Sequence, residues 1–287
     1  MYNLSQYSYV ASFVALGIAA LVYASYGVAR RTVLASGYEA GAFEERRSPG
    51  LAASLGKWGT ILVINSFVFL TGALGFRWVA SGHGPFANMY EFSLAFVWGT
   101  LASHLYFEFR YGLRSLAILV LPVSLAMLAY AATVPSTIDP LVPALQNNLL
   151  LSLHVAVAIA AYGAFALSFA AAVLFLVNRR DRFRWLPRRD VLDEVGYKAV
   201  TFAFPMMALV VILGAVWAKV AWGTYWSWDP KETASLVTWM IYGGYLHARV
   251  VRGWKGDRSA YLLIIGFGAV LFTYFGNYFL SGLHSYG

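Results

Sequence analysis

The sequence predicts an all-α integral membrane protein that crosses the bilayer about eight times, with both termini on the outer side. Three observations predict it. Of 287 residues, 60% are hydrophobic and only 12% charged, about half the charged share of a soluble chain. The apolar residues gather into long runs that need lipid rather than one water-surrounded core. The basic residues then fall almost wholly on one set of the connecting loops.

The apolar runs place spans at 7–29, 58–80, 87–107, 115–134, 150–177, 199–220, 233–250 and 259–281. The links are short and charged, or rich in Gly and Pro, so the expectation is one polytopic domain over 1–287 with no soluble module. The opening MYNLSQYSYV carries no positive charge, so the first apolar run reads as a retained span rather than a cleaved signal.

Orientation comes from the charges. With the N-terminus outside, the inner loops are 30–57, 108–114, 178–198 and 248–258, and they hold 18 of the 21 lysines and arginines. Arg77, Lys219 and Lys231 are left near the outer face. Such a bias sets topology. The net charge of +8 is therefore a topology signal, with some attraction to anionic lipid, and not a nucleic-acid surface. The chain has no cysteine, which excludes disulfides, thiolate metal sites and thiol nucleophiles.

The unusual residues collect outside. They lie in 81–91 (SGHGPFANMYE), in 135–149 leading to His154, in 221–232 (AWGTYWSWDPKE) and in the tail 282–287 (GLHSYG). The stretch from Trp222 to Asp229 sets Trp222, Tyr225, Trp226 and Trp228 within seven residues. Indoles are broad, flat and apolar, and a group of them suits a flat hydrophobic ligand. An interfacial aromatic belt is the plain alternative, but it does not account for Gly223 and Ser227 between the rings. Asp229, Pro230 and Glu232 read as N-cap, N1 and N3 of the seventh span. Asn88 and Glu91 read as a similar pair before the third.

Five histidines complete the inventory. His154 and His284 share the outer level, where two imidazoles could ligate one haem iron from opposite faces. His247 lies fifteen or more residues into the seventh span, ~22–27 Å deep at the helical rise, where an ionisable residue is a functional candidate. An interfacial histidine beside Arg249 is its bland alternative. His83 reads as a loop polar group and His104 as a hydrogen-bonded helix residue.

WGTYWSWDPKE followed by YLHAR resembles the tryptophan-rich WWD motif and transmembrane histidine of the CcsA/ResC cytochrome c biogenesis proteins, members of the haem-handling superfamily. GHGPFANMYE, PLVPALQNN with His154, and the closing GLHSYG extend the resemblance from about residue 80 onward. Residues 1–80, the first two helices, are left unassigned, and 81–287 is the implied haem-handling core.

The resemblance implies the haem-handling subunit of a System II cytochrome c synthase. Such a subunit moves haem b to the outer face and positions it for thioether attachment to a CxxCH motif. It implies His154 and His284 as ligands of an external haem iron, His247 as a transmembrane haem ligand, and Trp222, Trp226, Trp228 and Asp229 as haem contacts. It names no separate catalytic group. The implied partners are a CcsB/ResB-type membrane protein and apocytochrome c, with thiol-reducing proteins beside them. The implied location is a bacterial inner membrane in preference to a thylakoid, with the site facing the periplasm or the cell exterior. Two other readings of the residues stay open: a haem transporter without synthase activity, and a haem-bearing subunit of a respiratory complex. The haem propionates would need cationic partners, for which Arg77, Lys219 and Lys231 are the candidates.

Overall fold

The computed structural model describes residues 1–35, 50–138, 148–276, 279–280 and 282–283. Among them are eight α-helices: α1 (Tyr2–Ala35), α2 (Gly50–Ser81), α3 (Met89–Tyr111), α4 (Ala117–Ala131), α5 (Asn148–Val177), α6 (Arg189–Trp222), α7 (Pro230–Val251) and α8 (Asp257–Phe275). The described residues contain no strand. Six stretches are long and apolar enough to cross a membrane, in α1, α2, α4 with the turn before it, α5, α6 and α8. The protein is thus an all-α, multi-pass membrane protein. Helices α3 and α7 fall below that measure because polar groups such as Glu91, His104, Glu232 and His247 interrupt them.

Each predicted span finds its helix, but the ends differ. Helix α6 begins ten residues before the predicted 199. Its first turns, RDVLDEVGYKAV, are amphipathic and are held by tertiary pairs rather than by lipid: Asp193 accepts from Arg249 of α7, which also lies 5.1 Å over the Tyr197 ring. Hydropathy registers only the lipid-facing stretch of such a helix.

Helices consecutive in the chain run antiparallel, and polar pairs fix the register of several. Ser5 Oγ donates to the Ala73 carbonyl at 2.8 Å and Ser12 Oγ to the Ser66 carbonyl at 2.9 Å, so α1 and α2 pass head to tail. Interhelical bonds of this kind contribute about 0.6–2 kcal/mol each in a bilayer. Arg77–Glu91 ties the end of α2 to the start of α3, and Thr60–Glu108 ties their other ends. Helices α5 and α6 run antiparallel with His154 beside Gly214, and α7 meets α8 through Thr238 and Thr273 at 3.2 Å. The starts of α3, α5 and α7 therefore share one end of the bundle with the close of α2, α6 and α8. The 222–229 segment lies there, so we call it the tryptophan end.

The crossing of α3 and α5 is unusually close. A Cβ on Gly99 would sit 2.5 Å from the Ile159 carbonyl oxygen, and one on Gly163 would overlap the Gly99 carbonyl. Backbone meets backbone, and only glycine allows it.

Candidate functional site

At the tryptophan end the bundle opens into a cavity of ≈ 1220 Å³, counting its mouth. Phe86, Phe92 and Phe96 form its α3 side, and Leu151, His154, Ala158 and Tyr162 its α5 side. Val210, Gly214 and Trp217 come from α6, Trp226, Lys231 and Glu232 from the next loop and α7, and Tyr274 from α8. The walls are mostly apolar and aromatic with a few converging polar groups, the usual makeup of a site for an organic ligand.

His154 is brought here by the first turns of α5. Its ring lies against Gly214, where a Cβ would come 3.0 Å from His154 Cε1 and 3.4 Å from Nδ1. Any larger residue at 214 would push the imidazole. His154 is the one histidine among the described residues that line the cavity.

The tryptophans divide. Trp226 lines the cavity, as does Trp217, which the sequence did not mark as a site residue. Trp217 packs edge-on against Trp222 at 4.7 Å, so Trp222 buttresses a cavity wall from behind. Trp228 is 70% exposed and is not part of the wall. Its φ of 58° is left-handed, a conformation that costs a non-glycine residue energy and is held only by its surroundings.

The holding groups are those the capping reading singles out. Asp229 Oδ1 accepts the Lys231 N–H at 2.9 Å, and Glu232 Oε2 accepts the N–H groups of Asp229 at 3.2 Å and Ser227 at 2.8 Å. That is a capping box, with Pro230 at its favoured position. Asp229 does more, since its Oδ2 accepts the Leu283 N–H at 2.6 Å. A Cβ on Gly282 would overlap that oxygen. The capping carboxylate thus pins the chain just before the tail. His284 itself lies outside the described residues, as does the 139–147 stretch.

Asn88 caps α3 as expected, accepting the Glu91 N–H at 3.0 Å. Glu91 departs from the expectation. Its carboxylate accepts from Ala87 N–H and from Arg77, not from the Asn88 N–H, because the buried guanidinium draws it inward. Arg77 also donates to the Ser136 and Thr137 carbonyls, both at 2.8 Å.

Two buried polar atoms in the cavity wall, Trp226 Nε1 and Glu232 Oε1, have no hydrogen-bond partner among the described residues. Such atoms are costly unless a ligand or water meets them. They fit a ligand that is mostly apolar with a polar edge.

The other histidines sit elsewhere. His83 is buried in the 81–88 segment, Nδ1 2.9 Å from the Gly84 carbonyl oxygen. His104 is buried near the opposite end, 3.3 Å from Glu108. His247 is exposed on α7, in a stripe with Val237, Met240, Gly244 and Val251. It is not brought near His154, and it faces outward from the bundle.

Comparison with known proteins agrees with this architecture. A family model described as Cytochrome C assembly protein matches residues 86–284. The cytochrome c biogenesis protein CcsA of Guillardia theta is 37% identical over 261 residues, covering 81% of this chain and 85% of the relative. CcsA of Synechococcus elongatus is 36% identical over 272 residues, covering 76% and 83%. The solved cytochrome c haem lyase CcmF shares the fold, with a TM-score of 0.59 at 19% identity over 93% of this chain, which spans 46% of CcmF. The matched region begins at the cavity's first phenylalanine, Phe86, and runs through every helix that walls it. The chain belongs to the CcsA family of cytochrome c biogenesis proteins.

Proposed function

We propose that the chain is the haem-handling subunit of a cytochrome c synthase, holding haem b in the tryptophan-end cavity for transfer to apocytochrome c. The observation that carries this reading is the seating of His154 in a cavity walled by Trp217, Trp226 and three phenylalanines. A lone imidazole in an aromatic slot offers an axial bond and two faces for a porphyrin. The motif match assigns the second axial bond to His284.

The reaction forms two thioethers. Each thiol of the CxxCH segment adds across one haem vinyl group, sulfur to one carbon and hydrogen to the other, so no oxidant is consumed. The thiols must arrive reduced, which is the place for a thiol-reducing protein. Nothing in the cavity needs to act as a strong base, and positioning of the vinyl edge is the main contribution open to this chain. Trp228, exposed at the same end, would meet an incoming apoprotein in this reading.

His247 serves a different step in this reading. An imidazole on the outward face of α7 leaves the opposite axial position of a haem to another protein. A CcsB/ResB-type subunit against the Val237–Met240–Gly244–His247–Val251 stripe would supply it. Eight spans with both ends outside would put the tryptophan end on the outer face. A reporter active only outside the cytoplasm, fused after Gly287, should then be active, and one fused near Arg184 silent; the reverse would reject the orientation.

The test of the function is covalent haem on a co-expressed CxxCH apoprotein. With partner present, His154→Gly should abolish it, and added imidazole should restore part of it by filling the empty coordination site. Attachment at the wild-type level in the variant would reject the site.

A further inference from the structure

Three cations lie at the tryptophan end, and the structure uses them differently. Arg77 is fully buried and spent: it pairs with Glu91 and donates to the Ser136 and Thr137 carbonyls. Lys219 donates to the Gly223 carbonyl at 2.7 Å, and its ammonium lies 5.6 Å from the centre of the exposed Tyr225 ring, away from the cavity wall. Lys231 alone of the three lines the cavity. Its Nζ is 6.0 Å from the Phe92 ring centre, across from another wall residue. Among the described residues no acceptor or ion-pair partner engages that ammonium, although the side chain is half-buried.

An ammonium turned toward an apolar cavity is unfavourable unless an anion meets it. Neither nearby carboxylate hydrogen-bonds or ion-pairs with it among the described residues, although the charge of Asp229 is felt there. Glu232 Oε2 is taken by Ser227 and Asp229, and the Asp229 oxygens by the Lys231 and Leu283 backbone N–H groups. We infer that Lys231 receives a carboxylate of the cavity's occupant, which makes it a positioning residue for the bound ligand.

The inference rests on the haem reading above, in which the carboxylates are the propionates. Its chemical consequence is specific. Axial imidazoles fix the iron but leave the ring free to rotate about the iron–nitrogen axis. A charge-assisted bond at one edge removes that freedom. In protoporphyrin the propionates and the vinyl groups occupy opposite edges. Holding a propionate at Lys231 therefore turns the vinyl edge away from α7, toward arriving thiols.

The test is hemin titration of the purified full chain with its partner subunit, followed by absorbance, against hemin dimethyl ester, whose propionates are uncharged. The wild-type protein should bind hemin about ten- to a hundredfold more tightly than the ester, the range of a charge-assisted bond. Lys231→Ala should lower hemin affinity to that of the ester and leave the ester unaffected. Lys231→Arg should keep most of the preference. Equal wild-type affinity for hemin and ester, which needs no variant, would overturn the inference. So would an equal loss for both ligands in Lys231→Ala. Hemin binding that survives His154→Gly unchanged would instead reject the haem reading beneath it.

Discussion

Helices α3 and α5 cross backbone to backbone, and each carries a histidine, buried in α3 and half-buried in α5, yet the two ends they lead to are built on opposite terms. Near the opposite end, the Glu108 carboxylate is the centre of a closed network, with the buried His104 beside it, whose Nδ1 has no hydrogen-bond partner among the described residues. Glu108 accepts from the Tyr23 hydroxyl at 2.6 Å and from Thr60, with Arg114 at 3.4 Å and His104 at 3.3 Å. Helices α1, α2 and α3 and the turn before α4 each supply a group, and together they surround the carboxylate. At the tryptophan end, His154 faces a cavity, and Trp226 Nε1, Glu232 Oε1 and the Lys231 ammonium are all left without such closure. A satisfied polar network stabilises and specifies a fold. Polar groups converging on an apolar cavity are poised for something that is not part of the chain.

The largest effect that would sharpen this contrast is expected at Glu108. Glu108→Ala takes the ion-pair partner from the largely buried Arg114 and the acceptor from the buried Tyr23 hydroxyl, and should cost about 3–5 kcal/mol of stability, read as a lower unfolding midpoint and membrane yield. Hemin bound per folded molecule should not change. A loss of hemin binding beyond the loss of folded protein would give the network a ligand role and break the comparison.

A smaller effect is expected at Gly214. Gly214→Ala puts a Cβ 3.0 Å from His154 Cε1, so the imidazole must shift by a few tenths of an ångström. Stability should stay within about 1 kcal/mol, since the neighbour is a side chain beside open space. Hemin affinity should fall several-fold, measured by titration beside Gly268→Ala, where a Cβ meets nothing within 4 Å. Equal affinities in the two variants would detach His154 from the ligand.

The same contrast separates what the sequence carried from what it did not. The apolar runs revealed the eight α-helices of the described residues, six of them because lipid demands about twenty apolar residues per crossing. They missed the first turns of α6, where charge pairs such as Asp193–Arg249 replace lipid contact. The capping box from Asp229 to Glu232 was readable because its bonds span three residues. The second bond of Asp229, to Leu283, spans 54 residues and leaves no local mark. Trp226 and His154 could be named from the motif. Trp217 and Gly214 could not, because each matters only through the neighbour that packing brings to it. A glycine inside an apolar helix was the available signal for Gly214, but Gly163 and Gly266 give the same signal and serve close packing instead. Among Arg77, Lys219 and Lys231 sequence position offered no choice, and only the hydrogen bonds of the first two distinguish the third.

The central claim is that the tryptophan-end cavity holds haem through His154. The most direct measurement is the absorption spectrum of the purified protein with its partner, normalised to folded protein, in wild type, His154→Gly and His104→Gly. The account predicts a His154-dependent change in the external haem spectrum that exogenous imidazole reverses, and a His104→Gly spectrum like that of wild type. An unchanged spectrum in His154→Gly, or its loss in His104→Gly alone, would contradict it.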